Sequence, residues 1–404
     1  MCINQLRYST QLETNELWLD SYEYSSSHTT LPHYITQRTQ DRTFNDKEVA
    51  RLARYQMVTI EKWYTSCGSA GPPHQSGPSC AAEHKAEKLH GRIRAEAKKL
   101  KLPRPTAILY WNSMFDFSMY AAHQYMLDLE AAGVHAFLRD ISGSVISLCN
   151  DGNAYCNITT YDWTQPAVRE FWIDTVVNAT TNPVEDERID GIFADHSANE
   201  GTRIGVGPNG QGVNQLCNGK GAGRSCYNFT ADFAARFNSW HWWVTNYTQD
   251  LLSKTTGGPV IQGPLGSMNN ATWAPGHITD SMYCDFDSIR RAQSSQMGRE
   301  GAIFEARGSC GNIKEHCLAA YLAAVEVGTY IHCTYNGDDL LKETVFDEMD
   351  NELGPPTGPA VEVGKKGSNV WVRHFKGTSD GRTTVVTYDN NKHTGTVVWP
   401  AGRV

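Results

Sequence analysis

The 404-residue chain has no apolar run of the roughly 18 residues that a membrane-crossing helix needs. It also lacks an excess of positive charge, since 36 Lys and Arg stand against 44 Asp and Glu for a net charge of −8. A nucleic-acid partner therefore loses its main electrostatic support. No C-x-x-C and no H-E-x-x-H occurs, so the expectation is no metal and no cofactor. No Walker A sequence is present, and no nucleophile elbow is set between a strand and a helix, which leaves phosphate-loop and serine-hydrolase chemistry without a motif. Gly205-Val-Gly207-Pro-Asn-Gly210 matches a dinucleotide fingerprint only formally, because no apolar strand leads into it and no helix begins there.

What the chain does have is cysteine, 11 in all. Four close pairs stand out, Cys67/Cys80, Cys149/Cys156, Cys217/Cys226 and Cys310/Cys317, each inside a loop-like stretch. Cys284 and Cys333 would join at longer range and Cys2 is left over. The spacings fit no zinc module, so disulfides and an oxidising compartment are expected. Five N-x-T sequons, at Asn157, Asn178, Asn228, Asn246 and Asn270, add support for a secreted or extracellular glycoprotein. The opening Met1-Cys-Ile-Asn-Gln-Leu-Arg-Tyr8 holds no apolar stretch of the signal-peptide kind, so that expectation rests on the cysteines and sequons.

Residues 1–45 are polar and without a sustained period, and read as an extended arm. Eight short apolar runs follow as candidate strands: Gln56 to Trp63, Thr106 to Asn112, His135 to Ile141, Gly191 to Asp195, Val260 to Gly263, Ser281 to Phe286, Ala302 to Ala306 and Thr329 to Thr334. Helical stripes lie between most of them. Ala82, Ala86, Leu89, Ile93 and Ala97 form the first, and Met119, Ala122, Met126 and Leu129 the second. Val168, Phe171, Thr175 and Ala179 follow, then Phe233, Phe237, Trp240, Val244, Tyr247 and Leu251, then Ile313, Cys317, Ala320 and Ala324. Strands alternating with helices over residues 46–353 predict an α/β (β/α)₈ barrel rather than an open doubly wound sheet. Gly354-Pro-Pro-Thr-Gly-Pro359 breaks the pattern. The alternating segments Val370 to Phe375, Thr384 to Tyr388 and Thr396 to Trp399 then predict an antiparallel β appendage over residues 354–404.

A barrel of this kind carries its active site where the strands end. Polar residues at the predicted ends are Glu61, Trp111 and Asn112, Arg139 and Asp140, Asp195 and His196, Gln262, Asp285, Glu305 and Arg307, and His332, Tyr335 and Asn336. The sharpest signal is Asp190-Gly-Ile-Phe-Ala-Asp195, where an acid follows three non-polar residues and is costly unless paired or used. Ala302-Ile-Phe-Glu305-Ala-Arg307 repeats the arrangement, with a Glu/Arg rim ion pair as its bland alternative. Two carboxylates across a barrel mouth are what glycosidic cleavage requires. Asp285 competes with Glu305 for the second place, and Glu61 could bond a sugar hydroxyl or pair with Lys62. The aromatic rings Trp63, Tyr110, Trp111, Tyr283 and Tyr335 suit either a sugar face or plain barrel packing. The long glycine-rich stretch from His196 to Asn228 reads as a stapled rim loop.

With Val58-Thr-Ile-Glu-Lys-Trp63, Ile108-Leu-Tyr-Trp-Asn-Ser113, Asp190-Gly-Ile-Phe-Ala-Asp195 and Asn369-Val-Trp-Val-Arg-His-Phe375 assembled, the chain resembles the glycoside-hydrolase-like (β/α)₈ proteins known as hypothetical glycosyl hydrolases. The resemblance covers about residues 45 to 400, and it implies a carbohydrate-active barrel with its strand-four Asp, here Asp195, in a catalytic role. The expectation is a secreted O-glycosyl hydrolase acting on a polysaccharide or glycan. Asp195 would be nucleophile or base and Glu305 proton donor, with Asp285 in reserve. Glu61, Trp111, Asn112, Arg139, Asp140, His196, Tyr283, Arg307 and Tyr335 would contact or position the substrate. Two rival readings keep the same fold. One is a non-catalytic carbohydrate-binding or structural glycoprotein, and the other a polysaccharide lyase with a Tyr, His or Lys base near Arg139.

Overall fold

The computed structural model describes residues 34–37, 44–60, 77–150, 155–195, 204, 215–218, 225–255, 260–262, 276–279, 285–287, 289–290, 302–307, 314–324, 330–334, 353–377 and 381–400. The chain is mixed α/β. Eight strands form one all-parallel sheet: β1 (Tyr34–Gln37), β2 (Met57–Ile60), β3 (Thr106–Tyr110), β7 (Gly191–Ala194), β10 (Val260–Gln262), β11 (Gly276–Thr279), β12 (Ala302–Arg307) and β13 (Tyr330–Thr334), hydrogen-bonded in that order. The two ends of the order, β1 and β13, also lie against each other. All four residues of β2 (Met-Val-Thr-Ile) and of β7 (Gly-Ile-Phe-Ala) are buried, as expected of parallel strands covered on both faces.

The short helix α1 (Asp46–Leu52) opens on a capping box, in which Asn45 accepts the Glu48 N–H and the Glu48 carboxylate accepts the Asn45 N–H. The long helix α2 (Ala82–Lys99) buries the predicted stripe Ala82, Ala86, Leu89, Ile93 and Ala97. Its His90 Nε2 bonds the Ile108 carbonyl of β3 at 3.2 Å, and since a carbonyl only accepts, Nε2 carries the proton. Burial, helped by the nearby Arg94 charge, lowers the His90 pKa to about 3. Arg94 reaches the carbonyls of Pro105, Asp186 and Arg188 and pairs with the Asp190 carboxylate. Asp190 also takes Arg104 at 3.1 Å and the Ala107 N–H at 2.8 Å, which clamps the N-terminal end of β7 to β3. Glu83 accepts the Ala121 and Ala122 N–H groups at 3.1 and 3.0 Å, at the start of α3 (Ala122–Ala131). Burial raises its pKa, with those backbone bonds opposing the rise.

A three-stranded antiparallel sheet, in the order β4 (Phe115–Asp116), β6 (Tyr155–Thr160), β5 (Ser147–Asn150), follows β3. A hairpin of β8 (Gln215–Asn218) and β9 (Ser225–Asn228) sets Cys217 opposite Cys226 in register. It leads into α5 (Ala231–Thr255). In the C-terminal part, β14 (Val361–Glu362), β15 (Val370–Lys376), β16 (Thr383–Asp389) and β17 (Thr394–Val398) form an antiparallel sheet packed on α6 (Lys314–Ala324). A Cβ on Gly395 would lie 2.5 Å from Ala319 Cβ, so only glycine lets this sheet and helix approach so closely. Arg373 of β15 donates to the Leu322 and Ala323 carbonyls at the α6 C-terminus, where a cation is favoured.

Three expectations about strands are corrected. Tyr34–Gln37, placed in the arm, is a sheet strand. The run His135 to Ile141 supplies only isolated bridges, Phe137 to Tyr161 and Arg139 to Val145, because Asp140 turns the chain by accepting the Ser142 and Ser144 N–H groups. The strand that follows β10 in the sheet is Gly276–Thr279, a stretch expected to hold none; of the expected strand Ser281 to Phe286, residues 281–284 lie outside the described residues and Phe286 is helical.

The loop settings expected for two of the cysteine pairs are corrected as well. Cys149 and Cys156, expected inside a loop, lie on the paired strands β5 and β6. The β5–β6 register shifts between Leu148 and Asn150, so Cys149 falls at the irregularity while Cys156 follows Tyr155, the partner of Asn150. Cys217 and Cys226 are likewise strand residues, and Cys80 closes a single 3₁₀ turn, while Cys317 on α6 and Cys333 on β13 fall on the helical stripe and the strand expected for those stretches. The β5, β6, β8 and β9 positions are regular because backbone pairing takes up short polar segments that carry no apolar period of their own. Among the sequons, Asn157 is on β6, Asn178 on α4 (Pro166–Thr180), Asn228 ends β9 and Asn246 is on α5.

Two helix faces are also rotated. In α4 the buried residues are Val168, Arg169, Trp172, Ile173, Val176, Ala179 and Thr180, so Phe171 and Thr175 sit beside the core face. In α5 the buried residues include Ala234, Phe237, His241, Val244, Thr245 and Thr248, while Tyr247 is 42% exposed.

Candidate active site

Asp195 directly follows β7, and its residue is 9% exposed. Its Oδ2 accepts the Tyr110 hydroxyl and the Asn112 side-chain amide, the latter at 3.3 Å; Asn112 Nδ2 also lies 3.0 Å from the Tyr110 oxygen. Tyr110 ends β3, which pairs with β7, so the parallel register delivers phenol, amide and carboxylate to one point. Asn112 is fixed in turn. Its Oδ1 accepts the Met114 and Phe115 N–H groups, both at 2.8 Å, and its carbonyl accepts the Trp172 indole N–H at 3.2 Å. The result is a buried carboxylate at the C-terminal end of a central strand, held by neutral donors whose own positions are tied down.

Trp111, Arg139, Asp140 and Asp285, also predicted for the site, are engaged elsewhere among the described residues. Trp111 is fully buried and packs on Tyr120 at 4.8 Å, so it is a core ring rather than a sugar platform. Arg139 is an ion-pair partner of Glu130 at 2.6 Å and bonds the Gly143 carbonyl, which commits it to its own loop. Asp140 is the turn-capping acid described above, and its bonds to Ser142 lower its pKa. Asp285 lies just ahead of the helical Phe286, which stacks on Trp371 at 4.5 Å. Its charge acts on His316 and Tyr388, which places it beside the C-terminal sheet. Glu305 and Arg307 are on β12, in register with His332 and Thr334. Glu61, His196, Tyr283 and Tyr335 lie outside the described residues, as do Cys67, Cys284, Cys310 and Asn270.

The model of a family described as hypothetical glycosyl hydrolase family 15 matches residues 99–379. The chain belongs to this family. It is thus a glycosyl hydrolase by family, and the matched span runs from the end of α2 through β3, Asp195, β12 and the whole of β15. No curated protein matches the chain. Among solved structures it is similar to the glycoside hydrolase domain of a PelA variant from Pseudomonas aeruginosa. The identity there is 10% and the TM-score 0.40, over 76% of this chain and 96% of that one. It is similar too to an alpha-amylase from Geobacillus thermoleovorans complexed with acarbose, at 10% identity and TM-score 0.46 over 89% and 86% of the two chains.

In this family-15 chain the carboxylate has supports that the sequence reading missed. The Asp195 carbonyl accepts both the backbone N–H and the hydroxyl of Ser113, each at 2.9 Å, and the same hydroxyl lies 2.9 Å from His241 Nε2 on α5. His241 is 2% exposed and stacks on Trp163 at 5.8 Å and 14°. On β4, the buried Asp116 pairs with His123 and accepts Thr159 Oγ1 at 3.3 Å. Burial and then the Asp116 charge push the Tyr161 phenol well above its ordinary pKa. The signal for His241 was present: Ala234, Phe237, His241, Val244, Thr245 and Thr248 also recur at helical spacing, but half of that stripe is polar.

Proposed function

We propose that the chain hydrolyses O-glycosidic bonds of a polysaccharide or glycan at the C-terminal mouth of a closed (β/α)₈ barrel. Asp195 acts as nucleophile or base and Glu305 as proton donor. The observation that carries this reading is the Asp195 carboxylate fixed by Tyr110 and Asn112 at the end of a central parallel strand. Parallel barrels keep their chemistry at that end, and a positioned acid there suits a reaction needing a paired carboxylate. Closure is supported by the proximity of the first and last strands of the eight-strand order. The role of Glu305 draws on its strand β12 belonging to the same sheet, whereas the surroundings of Asp285 favour a part in holding the C-terminal sheet. Membership of a glycosyl hydrolase family supports a glycan as the substrate.

Secretion with disulfides and N-linked glycans belongs to the same proposal. In its support, Cys217 and Cys226 are opposite each other in the β8–β9 register, and Cys149 and Cys156 lie on the neighbouring strands β5 and β6.

The test is a reducing-end assay of the full chain on a panel of α-glucans, β-glucans and amino-sugar polymers, run beside Asp195→Asn and Glu305→Gln. The expected result is release by the wild type and a loss of about 100-fold or more in each variant. Unimpaired release by either folded variant removes that residue from the mechanism. Glycan binding without product would favour the binder reading, and an ultraviolet-absorbing unsaturated product the lyase.

A further inference from the structure

We propose that Ser113 and His241 are positioning residues for Asp195, and that helix α5 sets where the carboxylate stands by holding its backbone. The inference rests on the catalytic reading of Asp195. A carboxylate that must meet a reacting carbon within a few tenths of an ångström needs its main chain fixed as firmly as its side chain. The side chain is held from β3 by Tyr110 and Asn112. The main chain is held differently, because both lone pairs of the Asp195 carbonyl are taken by Ser113, one by its N–H and one by its hydroxyl.

The proton count then fixes the direction of the next bond. A serine hydroxyl has one hydrogen, and a carbonyl oxygen can only accept, so the Ser113 hydrogen points to Asp195. The contact of 2.9 Å between Ser113 Oγ and His241 Nε2 must therefore be donated by the imidazole, which makes His241 the Nε2–H form. The ring cannot swing away from this duty easily, since it is buried, stacks on Trp163 and sits 6.3 Å from the Phe237 ring. Trp163 is itself clasped, for its carbonyl accepts Arg169 Nη1 at 2.6 Å while the Arg169 guanidinium lies 3.7 Å from the centre of Trp240 on α5. An imidazole in the middle of a 25-residue helix thus directs a serine hydroxyl toward the carbonyl of the residue that ends β7.

The variants that test this keep shape and change donors. His241→Phe retains a ring on Trp163 but has no N–H, His241→Gln retains an amide N–H near the place of Nε2, and Ser113→Ala removes the hydroxyl alone. On whichever polymer of the panel the wild type cleaves, His241→Phe and Ser113→Ala are each expected to lower kcat roughly 10-fold with KM little changed. The double variant is expected to be no worse than either single one, and His241→Gln to recover most of the loss. Nitrogen chemical shifts of the histidine rings in the folded protein are expected to show His241 protonated at Nε2, independently of any substrate.

Wild-type kcat in folded His241→Phe, an unprotonated Nε2, or a His241→Gln variant as slow as His241→Phe would each overturn the proposal. Its failure is separable from that of the catalytic reading: if Asp195→Asn is inactive while His241→Phe is fully active, only the positioning role falls. Should Asp195→Asn itself stay active, the catalytic reading falls first.

Discussion

The four residues of β7 have an aspartate immediately before them and another immediately after, and the two acids live in opposite surroundings. Asp190, at the N-terminal end, is clamped by the guanidinium groups of Arg94 and Arg104 and by a backbone N–H. Asp195, at the C-terminal end, has its Oδ2 held by a phenol and a side-chain amide. Two arginines largely cancel the Asp190 charge, so that acid serves to pin strand and helix together. A phenol and an amide orient the Asp195 carboxylate. On the proposed reading, one end of this strand is organised for stability and the other for chemistry, which is the division that parallel α/β barrels show between their two faces.

The sharpest way to break this contrast is Asp195→Asn, expected to abolish turnover by about 100-fold or more with a melting temperature close to the wild type, as read by initial rates and a thermal melt. The opposite pattern is expected for Arg94→Met, which strips a buried cation from Asp190 and from three carbonyls. A loss of about 2–4 kcal/mol in urea unfolding is anticipated, with kcat of the remaining folded protein little altered. Tyr110→Phe separates holding from chemistry at the Asp195 end. The ring still packs edge-on against Phe193 at 5.3 Å, so stability should hold while kcat falls roughly 10-fold.

A smaller and pH-dependent effect belongs to His90, behind the supporting end. Its folded pKa of about 3 lies below the ordinary value of 6.5, so between these limits the unfolded chain binds a proton that the folded chain refuses. Stability contributed by neutral His90 is therefore complete above pH 6.5 and falls as pH drops toward 3, by roughly 1 kcal/mol per pH unit. Urea midpoints of His90→Gln measured from pH 4 to 7 are expected to show a flatter slope than the wild type. An unchanged slope would assign the acid sensitivity elsewhere.

Much of this arrangement is legible from residues alone, for identifiable reasons. The strands β2, β3, β7, β12 and β13 carry consecutive apolar or β-branched residues, and a buried parallel strand leaves that mark. Gly276-His-Ile-Thr279 carries only one aliphatic side chain, so the more apolar Met282-Tyr-Cys284 nearby drew the strand assignment away from it. Tyr34–Gln37 was too short, and too deep in polar sequence, to stand out. Cys149 and Cys156 read as loop residues because Asn150, Asp151, Gly152 and Asn153 between them signal a turn, and the strands flanking that turn are too polar to announce themselves. Asp195 was visible because an acid after Gly-Ile-Phe-Ala is anomalous. The link from His241 to Asp195 was not, because its imidazole meets the Ser113 hydroxyl across 128 positions, and Ser113 reaches Asp195 through a backbone carbonyl that every residue possesses. Arg139 and Asp140 misled because a polar pair after an apolar run also describes a turn, and here the turn prevailed.

The shortness of β7 has a consequence for how this protein can vary. Asp190 and Asp195 are five positions apart, roughly 16 Å of extended chain, and every residue between them is buried. That stretch works as a ruler. Connections elsewhere can lengthen or shorten at little expense, but one residue added to or taken from Gly191–Ala194 would turn the apolar side chains onto the wrong face and move the second acid by about 3 Å. A deep scan of single-residue insertions and deletions should find this the least forgiving stretch of the sequence, with tolerance returning within a few residues on either side.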